Sequence, residues 1–190
     1  MLNDLANVEA TLRGFSDTFT GMTANGLFNG SHLSYSGADS VAVFDLNAVD
    51  VFAQNNSLSL DAGVADTVII NVAGTNVSIA GGVNLTGNGF SIHANGSNLG
   101  ASNILWNFHE AESINFNNLA TVGSVLALDA DIVGGAVFDG AVAAQSYDGG
   151  SEFHRFAFNW TPPQVEVPEA PTALLFSLGL CLILGSRKRR

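Results

Sequence analysis

The stretch Val68-Ile69-Ile70-Asn71-Val72-Ala73-Gly74-Thr75-Asn76-Val77-Ser78-Ile79 decides the fold class. Val68, Ile70 and Val72 alternate with their neighbours, Ala73-Gly74-Thr75-Asn76 interrupts, and Val77 and Ile79 alternate again. A period of two puts one set of side chains on one face of an extended chain. Glycine and asparagine between the bursts tolerate a tight change of direction.

The cadence continues outward from this stretch. Val41/Val43, Leu58/Leu60, Val83/Leu85 and Phe90/Ile92 repeat it, and Thr86-Gly87-Asn88-Gly89 supplies another turn. From Ser40 to about Val142 the sequence predicts strands of three to five residues, recurring about every seven to thirteen. Steps that short favour coils stacked in register over long antiparallel strands. The expected fold is mainly β, a right-handed β-solenoid (β-helix). The alternative is a β-sandwich, since neither a strict hexapeptide nor a nonapeptide period is present.

Upstream, the pattern is helical. Leu2, Leu5, Val8, Leu12, Phe15 and Phe19 recur at spacings of three and four without proline, so one amphipathic N-terminal helix ending near Thr20 is expected. Met1 to Met22 contains no basic segment followed by an apolar run, so it does not read as a secretory leader.

Charge limits the partners. Only 12% of the 190 residues are charged, against about 25% in ordinary soluble domains. The formal net charge is −11, and four of the six basic residues are the last four: Arg187, Lys188, Arg189 and Arg190. A chain with 17 acidic residues and, before that terminal cluster, only Arg13 and Arg155 as Lys or Arg cations repels phosphate backbones, which excludes nucleic acid as a partner. The single cysteine, Cys181, permits no intrachain disulfide.

Beyond Pro162-Pro163 the chain reads as a linker and then a tail. Thr172 to Gly185 carries no charge. As a helix, that segment spans about 21 Å against a hydrocarbon core of about 30 Å. The terminal basic residues extend its reach by snorkelling and hold that end on the cytoplasmic side. The domain plan is therefore a β-domain over 1–161, a Pro-rich linker and motif over 162–171, and a short transmembrane helix with a basic tail over 172–190.

Val167-Pro168-Glu169-Ala170-Pro171, followed by the apolar run and Arg187-Lys188-Arg189-Arg190, resembles the PEP-CTERM sorting signal, with Ala170 where the usual motif differs. The resemblance implies processing by an exosortase, membrane insertion through the C-terminal helix, and delivery to the cell surface or an exopolysaccharide matrix. The body is similar to the choice-of-anchor A family of adhesin-like domains. The similarity rests on Val68 to Gly74, Ile104-Leu105-Trp106-Asn107-Phe108, Gly123-Ser124-Val125-Leu126-Ala127 with Asp131, Gly140 to Ala144, and Glu152-Phe153-His154 with Phe158. It implies a solenoid with a helix lying along it, an adhesive or structural role with extracellular polysaccharide or a surface ligand as partner, and opening strands and a signal segment ahead of Met1. Leu128-Asp129 departs from the family's usual Pro-Asn.

No residue set is assigned to catalysis or metal binding, and no cofactor is expected. His109, Glu110 and Glu112 form one polar group and Glu152 with His154 another, but neither has metal-ligand spacing, so both read as turn and surface residues. Asp129 and Asp131 read as exposed charges, with calcium ligation as the lesser reading. A carbohydrate-active β-helix enzyme is the rival from another class, and a tethered domain with an unprocessed tail is a third reading. Asn29, Asn55, Asn76, Asn84, Asn95 and Asn159 begin Asn-x-Ser/Thr triplets and read as turn and strand-edge residues. Trp106, Phe108, Phe116, Phe153, Phe156, Phe158 and Trp160 are expected to cap the last coil, whose edge needs cover.

Overall fold

The computed structural model describes residues 2–53, 57–79, 85–93 and 99–160. The sorting motif Val167 to Pro171, the apolar run and the basic cluster Arg187 to Arg190 lie outside the described residues. Among the described residues no helix is long and apolar enough to cross a membrane.

The chain opens with helix α1 (Leu2–Thr20), as its three-and-four spacing predicts. A short antiparallel hairpin follows, β1 (Leu27–Asn29) on β2 (His32–Ser34). Then come β3 (Val41–Asn47), a single turn α2 (Ala48–Val51), β4 (Ser59–Asp61), β5 (Thr67–Ala73) and β6 (Asn76–Ser78). The remaining strands are β7 (Ile104–Asn107), β8 (Ser113–Asn115), β9 (Thr121–Val122), β10 (Ser124–Val133), β11 (Val137–Asp139), β12 (Val142–Asp148) and β13 (Glu152–His154).

Every strand pair except β1–β2 is parallel. That pattern is what successive coils produce and is not the hairpin pairing of a sandwich. The largest sheet runs β3-β5-β7-β10-β8-β6, with β12 also on β10. It curls because β10 belongs to two walls. Its first half pairs with β7 and its second half with β8, and the β10–β12 register shifts between Ala127 and Asp131. Smaller sheets, β1-β2-β4 and β13-β11-β9, form the other sides. The result is a β-helix-like fold with one N-terminal helix.

The alternation read from the sequence decides what fills the interior. Val68, Ile70 and Val72 are fully buried, and Phe44, Ile70 and Trp106 stack in register across β3, β5 and β7. Coil length varies, which explains why no period is visible in the sequence. Stacked partners are 26 residues apart at Asp45 and Asn71, 36 at Asn71 and Asn107, and 17 at Ser124 and Ala141.

Several expectations need correction. β3, β5 and β12 have seven residues and β10 has ten, so strands are not limited to three to five. The ten residues of β10 run through a corner: Asp129 and Asp131 point outward while Ala130 and Ile132 remain inside. Strands also begin before Ser40, at β1. The aromatics do not gather as one end cap. Trp106, Phe108 and Phe116 are core, whereas Phe158 and Trp160 pack outside the sheet against Phe19 of α1. Of that set, Phe153 is the one on the last coil, stacked 5.2 Å from Phe138.

Helix α1 lies against the outer side of the wall built from β3, β5, β7 and β10. Phe19, Val41, Val43, Ile69, Leu105 and Leu126 form a second apolar cluster there, flanked by Leu12, Phe158 and Trp160. This wall is therefore buried on both sides, and its strands read as near-continuous apolar runs.

Candidate adhesive surface

Among the described residues, the wall next to the one under the helix is a regular surface that α1 leaves open. It consists of β6, β8, the second half of β10 and the second half of β12. Val77, Ile114 and Ile132 point inward and are buried. The alternate residues point outward in two rows. Asn76, Ser113, Asp131 and Ser146 are in register in one, and Ser78, Asn115, Val133 and Asp148 in the other. Strand geometry spaces residues in a row by about 4.8 Å and separates the rows by about 6.7 Å.

The first row is internally bonded. The Ser113 hydroxyl donates to Asn76 Oδ1 at 2.9 Å, and the Ser146 hydroxyl to Asp131 Oδ1 at 2.5 Å. Such bonds fix short side chains in one orientation, so little conformational freedom remains to be lost on contact with a ligand. The surface holds a shallow concavity of about 330 Å³, lined by Asn76, Ser78, Ser113, Asn115, Asp131 and Val133. Val77, Ile114 and Val133 supply an apolar floor, and the hydroxyl, amide and carboxylate groups around it are suited to a hydrogen-bonding partner with repeating polar groups.

The residues singled out in the sequence are not brought together in one place. Glu110 closes a turn, its Oε2 accepting from the Gly74 amide at 3.1 Å. Glu112 marks the entry to β8, where its backbone nitrogen donates to Thr75 O at 2.8 Å. His109 is half-buried beside them. Asp131 belongs to the exposed row, but Asp129 faces α1. Arg13 grips it with two bonds, of 3.0 and 2.8 Å, and reaches Glu9 at 3.0 Å. Asn76 occupies a strand in the open row, whereas Asn55, Asn84 and Asn95 lie outside the described residues.

His154 has a partner that the sequence did not indicate. Its Nδ1 is 2.6 Å from the buried Asp139 carboxylate, while Glu152 is 3.9 Å from Nε2. The coil register places Asp139 beside His154, and no local motif in the sequence reveals that pairing. Among the described residues, no three His, Cys, Asp or Glu side chains are grouped so as to hold a metal ion.

The Arg13–Asp129 contact gives a pH prediction. Hydrogen bonds from Arg13 hold the Asp129 carboxyl below its ordinary value against the opposing effect of burial, with a lesser contribution from the Arg13 charge. A depressed folded-state pKa gives stability that is present above the unfolded pKa and is lost as pH falls through the folded one. Both side chains are well exposed, so the effect is small. Arg13→Gln is expected to lose a small amount of stability at neutral pH and almost none at strongly acid pH, so that the acid limb of its thermal-unfolding profile below about pH 4 is flatter. An unaltered acid limb would refute the assignment.

Among the described residues the chain is a curled, mainly parallel β-helix-like fold whose open wall carries outward residues in register. The chain belongs to the family described as Putative Ice-binding-like adhesive domain, which it matches over residues 2–155. No curated protein and no solved structure matches it. Family membership supports an adhesin-like protein of the cell surface or extracellular space, and a non-enzymatic role.

Proposed function

We propose that this chain is an exported, adhesin-like matrix or cell-surface protein that contacts extracellular polysaccharide through the two polar rows on β6, β8, β10 and β12. The observation that carries the reading is the regular exposed wall in a domain of an adhesive family. Sugar hydroxyls are both donors and acceptors, and aligned Ser, Asn and Asp side chains supply the complementary groups at fixed spacing. The finer assignment is a right-handed solenoid of choice-of-anchor A type. Its tail, with Val167 to Pro171 and Arg187 to Arg190, is sorted by an exosortase as a PEP-CTERM signal after the apolar helix enters the membrane.

Co-sedimentation with insoluble cellulose, and gel retardation in soluble alginate, test the surface. Ser113→Arg with Asn115→Arg places two bulky cations in the rows without touching the core. At least a tenfold loss of retention on whichever polymer retains the wild type is expected. Equal retention of wild type and variant would move the contact elsewhere, and no retention of the wild type on either polymer would remove the polysaccharide reading. Intact mass of the protein from its native cells tests the tail. Loss of Thr172 to Arg190 supports sorting, and a full 19.7 kDa chain held in the inner membrane overturns it.

A further inference from the structure

The hydrogen bonds within the open wall leave it rich in acceptors. Both hydroxyls of the first row, Ser113 and Ser146, direct their hydrogens into neighbours of the same row, Asn76 Oδ1 and Asp131 Oδ1. A carboxylate only accepts, so the Ser146 bond has one possible direction. In the second row Asn115 Oδ1 accepts from the Asn117 amide at 2.8 Å, and Asp148 adds an exposed carboxylate with no side-chain bond among the described residues. What remains for a partner is mainly lone pairs, on the two serine oxygens, on Asp131 and on Asp148. The amide nitrogens of Asn76 and Asn115 are the donors set among them.

Charge points the same way. Strands β6, β8, β10 and β12 contain no Lys, Arg or His. Arg13 is committed on the adjoining wall to Glu9 and Asp129, and Arg155 follows β13 in another sheet. The turn that leads into β8 carries His109 with Glu110 and Glu112, so the acidic balance extends past the edge of the wall. Asp131 and Asp148 are one strand and two residues apart, which strand geometry sets at about 8 Å. Val133 stands next to both, 41% exposed.

These features rank the kinds of glycan the wall can hold. An anionic polymer meets two carboxylates and no counter-charge. A neutral glycan covers the same carboxylates without neutralising them, which costs solvation. An ammonium group has three donors and no acceptor, and its bonds to a carboxylate are about twice as strong as neutral ones.

We infer that the open wall takes a polysaccharide with free amino groups, a glucosamine polymer, whose ammonium groups are bound by Asp131 and Asp148 while Val133 meets the apolar face of a sugar ring. The inference rests on the polysaccharide reading above and narrows it to a cationic class.

Retention of the full chain, in mild detergent, on cross-linked chitosan beads tests it against chitin and cellulose beads, which share the β-linked backbone and have few or no free amines. At about pH 6, above the carboxylate range and below that of amines, and at about 0.15 M ionic strength, chitosan is expected to hold the wild type at least tenfold more tightly than either neutral polymer. An acidic body attracts any polycation to some degree, so paired variants decide. Asp131→Asn with Asp148→Asn should weaken the chitosan contact about tenfold, and Asp148→Asn alone, which breaks no side-chain bond among the described residues, about threefold. Asp17→Asn with Asp61→Asn makes the same change in charge at exposed positions on α1 and β4, away from the wall, and should cost less than about twofold. The terminal basic cluster is common to all these chains, so differences among them report the wall. Equal retention by chitosan and by chitin or cellulose would overturn the amine preference and leave the polysaccharide reading standing. Equal losses in the two paired variants would show attraction to the acidic body as a whole and overturn the site. No retention by any of the three polymers would remove the polysaccharide reading, and this inference with it.

Discussion

Trp106→Ala is expected to lower stability by about 3–5 kcal/mol, the range for truncating a large fully buried aromatic. Trp106 is inaccessible to solvent at the centre of the coil stack, between Ile70 of β5 and Val125 of β10 in register. Its ring lies 5.6 Å from Phe90 and 6.2 Å from Phe52, and Nε1 donates to Val122 O at 3.0 Å. Truncation thus opens a cavity where several coils meet and leaves a buried carbonyl unpaired. Trp106→Phe separates these effects. It keeps much of the volume and loses the bond, so about 1–3 kcal/mol is expected. Urea unfolding followed by far-ultraviolet circular dichroism measures both, and a cost below about 1 kcal/mol for the alanine variant would contradict the central position of Trp106.

How much of this was legible in the sequence depends on whether a feature is local. Alternation is local: Val68, Ile70 and Val72 announce an inward row, and the structure buries all three. The stripe on α1 is local too, but only its second half, around Leu12 and Phe19, finds a sheet to cover, because the stripe is longer than the wall is wide. Coil register is not local. Steps as unequal as 26 and 36 residues, and 15 where Asp139 comes beside His154, set which residues align, as Ser113 does with Asp131, and no spacing rule anticipates them. The aromatics misled for a related reason: their clustering late in the chain suggested a cap, yet stacking puts Trp106, Phe108 and Phe116 in the middle of the core. Asparagine misled in the other direction. In a chain rich in turn residues it reads as loop chemistry, but Asn71 and Asn107 are among the most buried side chains.

Those two asparagines explain why α1 stays on the sheet, and they lead to the second large expected effect. Asp45, Asn71 and Asn107 occupy one outward position on β3, β5 and β7. Asn107 Nδ2 donates to Asn71 Oδ1 at 2.9 Å, and Asn71 Nδ2 donates to Asp45 Oδ1 at 2.9 Å, so the amides point one way and end on a carboxylate that only accepts. The same atoms hold the helix. Asn71 Nδ2 reaches Phe19 O at 2.9 Å, Asn107 Nδ2 reaches Ser16 O and Thr20 Oγ1, and the Ser16 hydroxyl donates to Asn107 Oδ1 at 2.8 Å. Asn107→Leu removes the middle of this network and leaves Asn71 Oδ1 and the Ser16 groups facing an apolar side chain. A loss of about 3 kcal/mol is expected, since each stranded buried group costs about 1–3 kcal/mol. Asn107→Asp should be worse at neutral pH, because it sets a buried carboxylate against the Asn71 and Ser16 oxygens. Its carboxyl is then held above its unfolded pKa, so the variant is least impaired below about pH 4 and loses stability as pH rises. The two residues also fail differently. Trp106→Ala weakens the whole coil stack, whereas Asn107→Leu first frees α1 and uncovers Val43, Ile69 and Leu105, so faster amide exchange confined to 2–20 should precede global unfolding. Uniform exchange across the β-domain in the Asn107 variant would show that the ladder stabilises the sheet alone and that apolar contacts suffice to hold the helix.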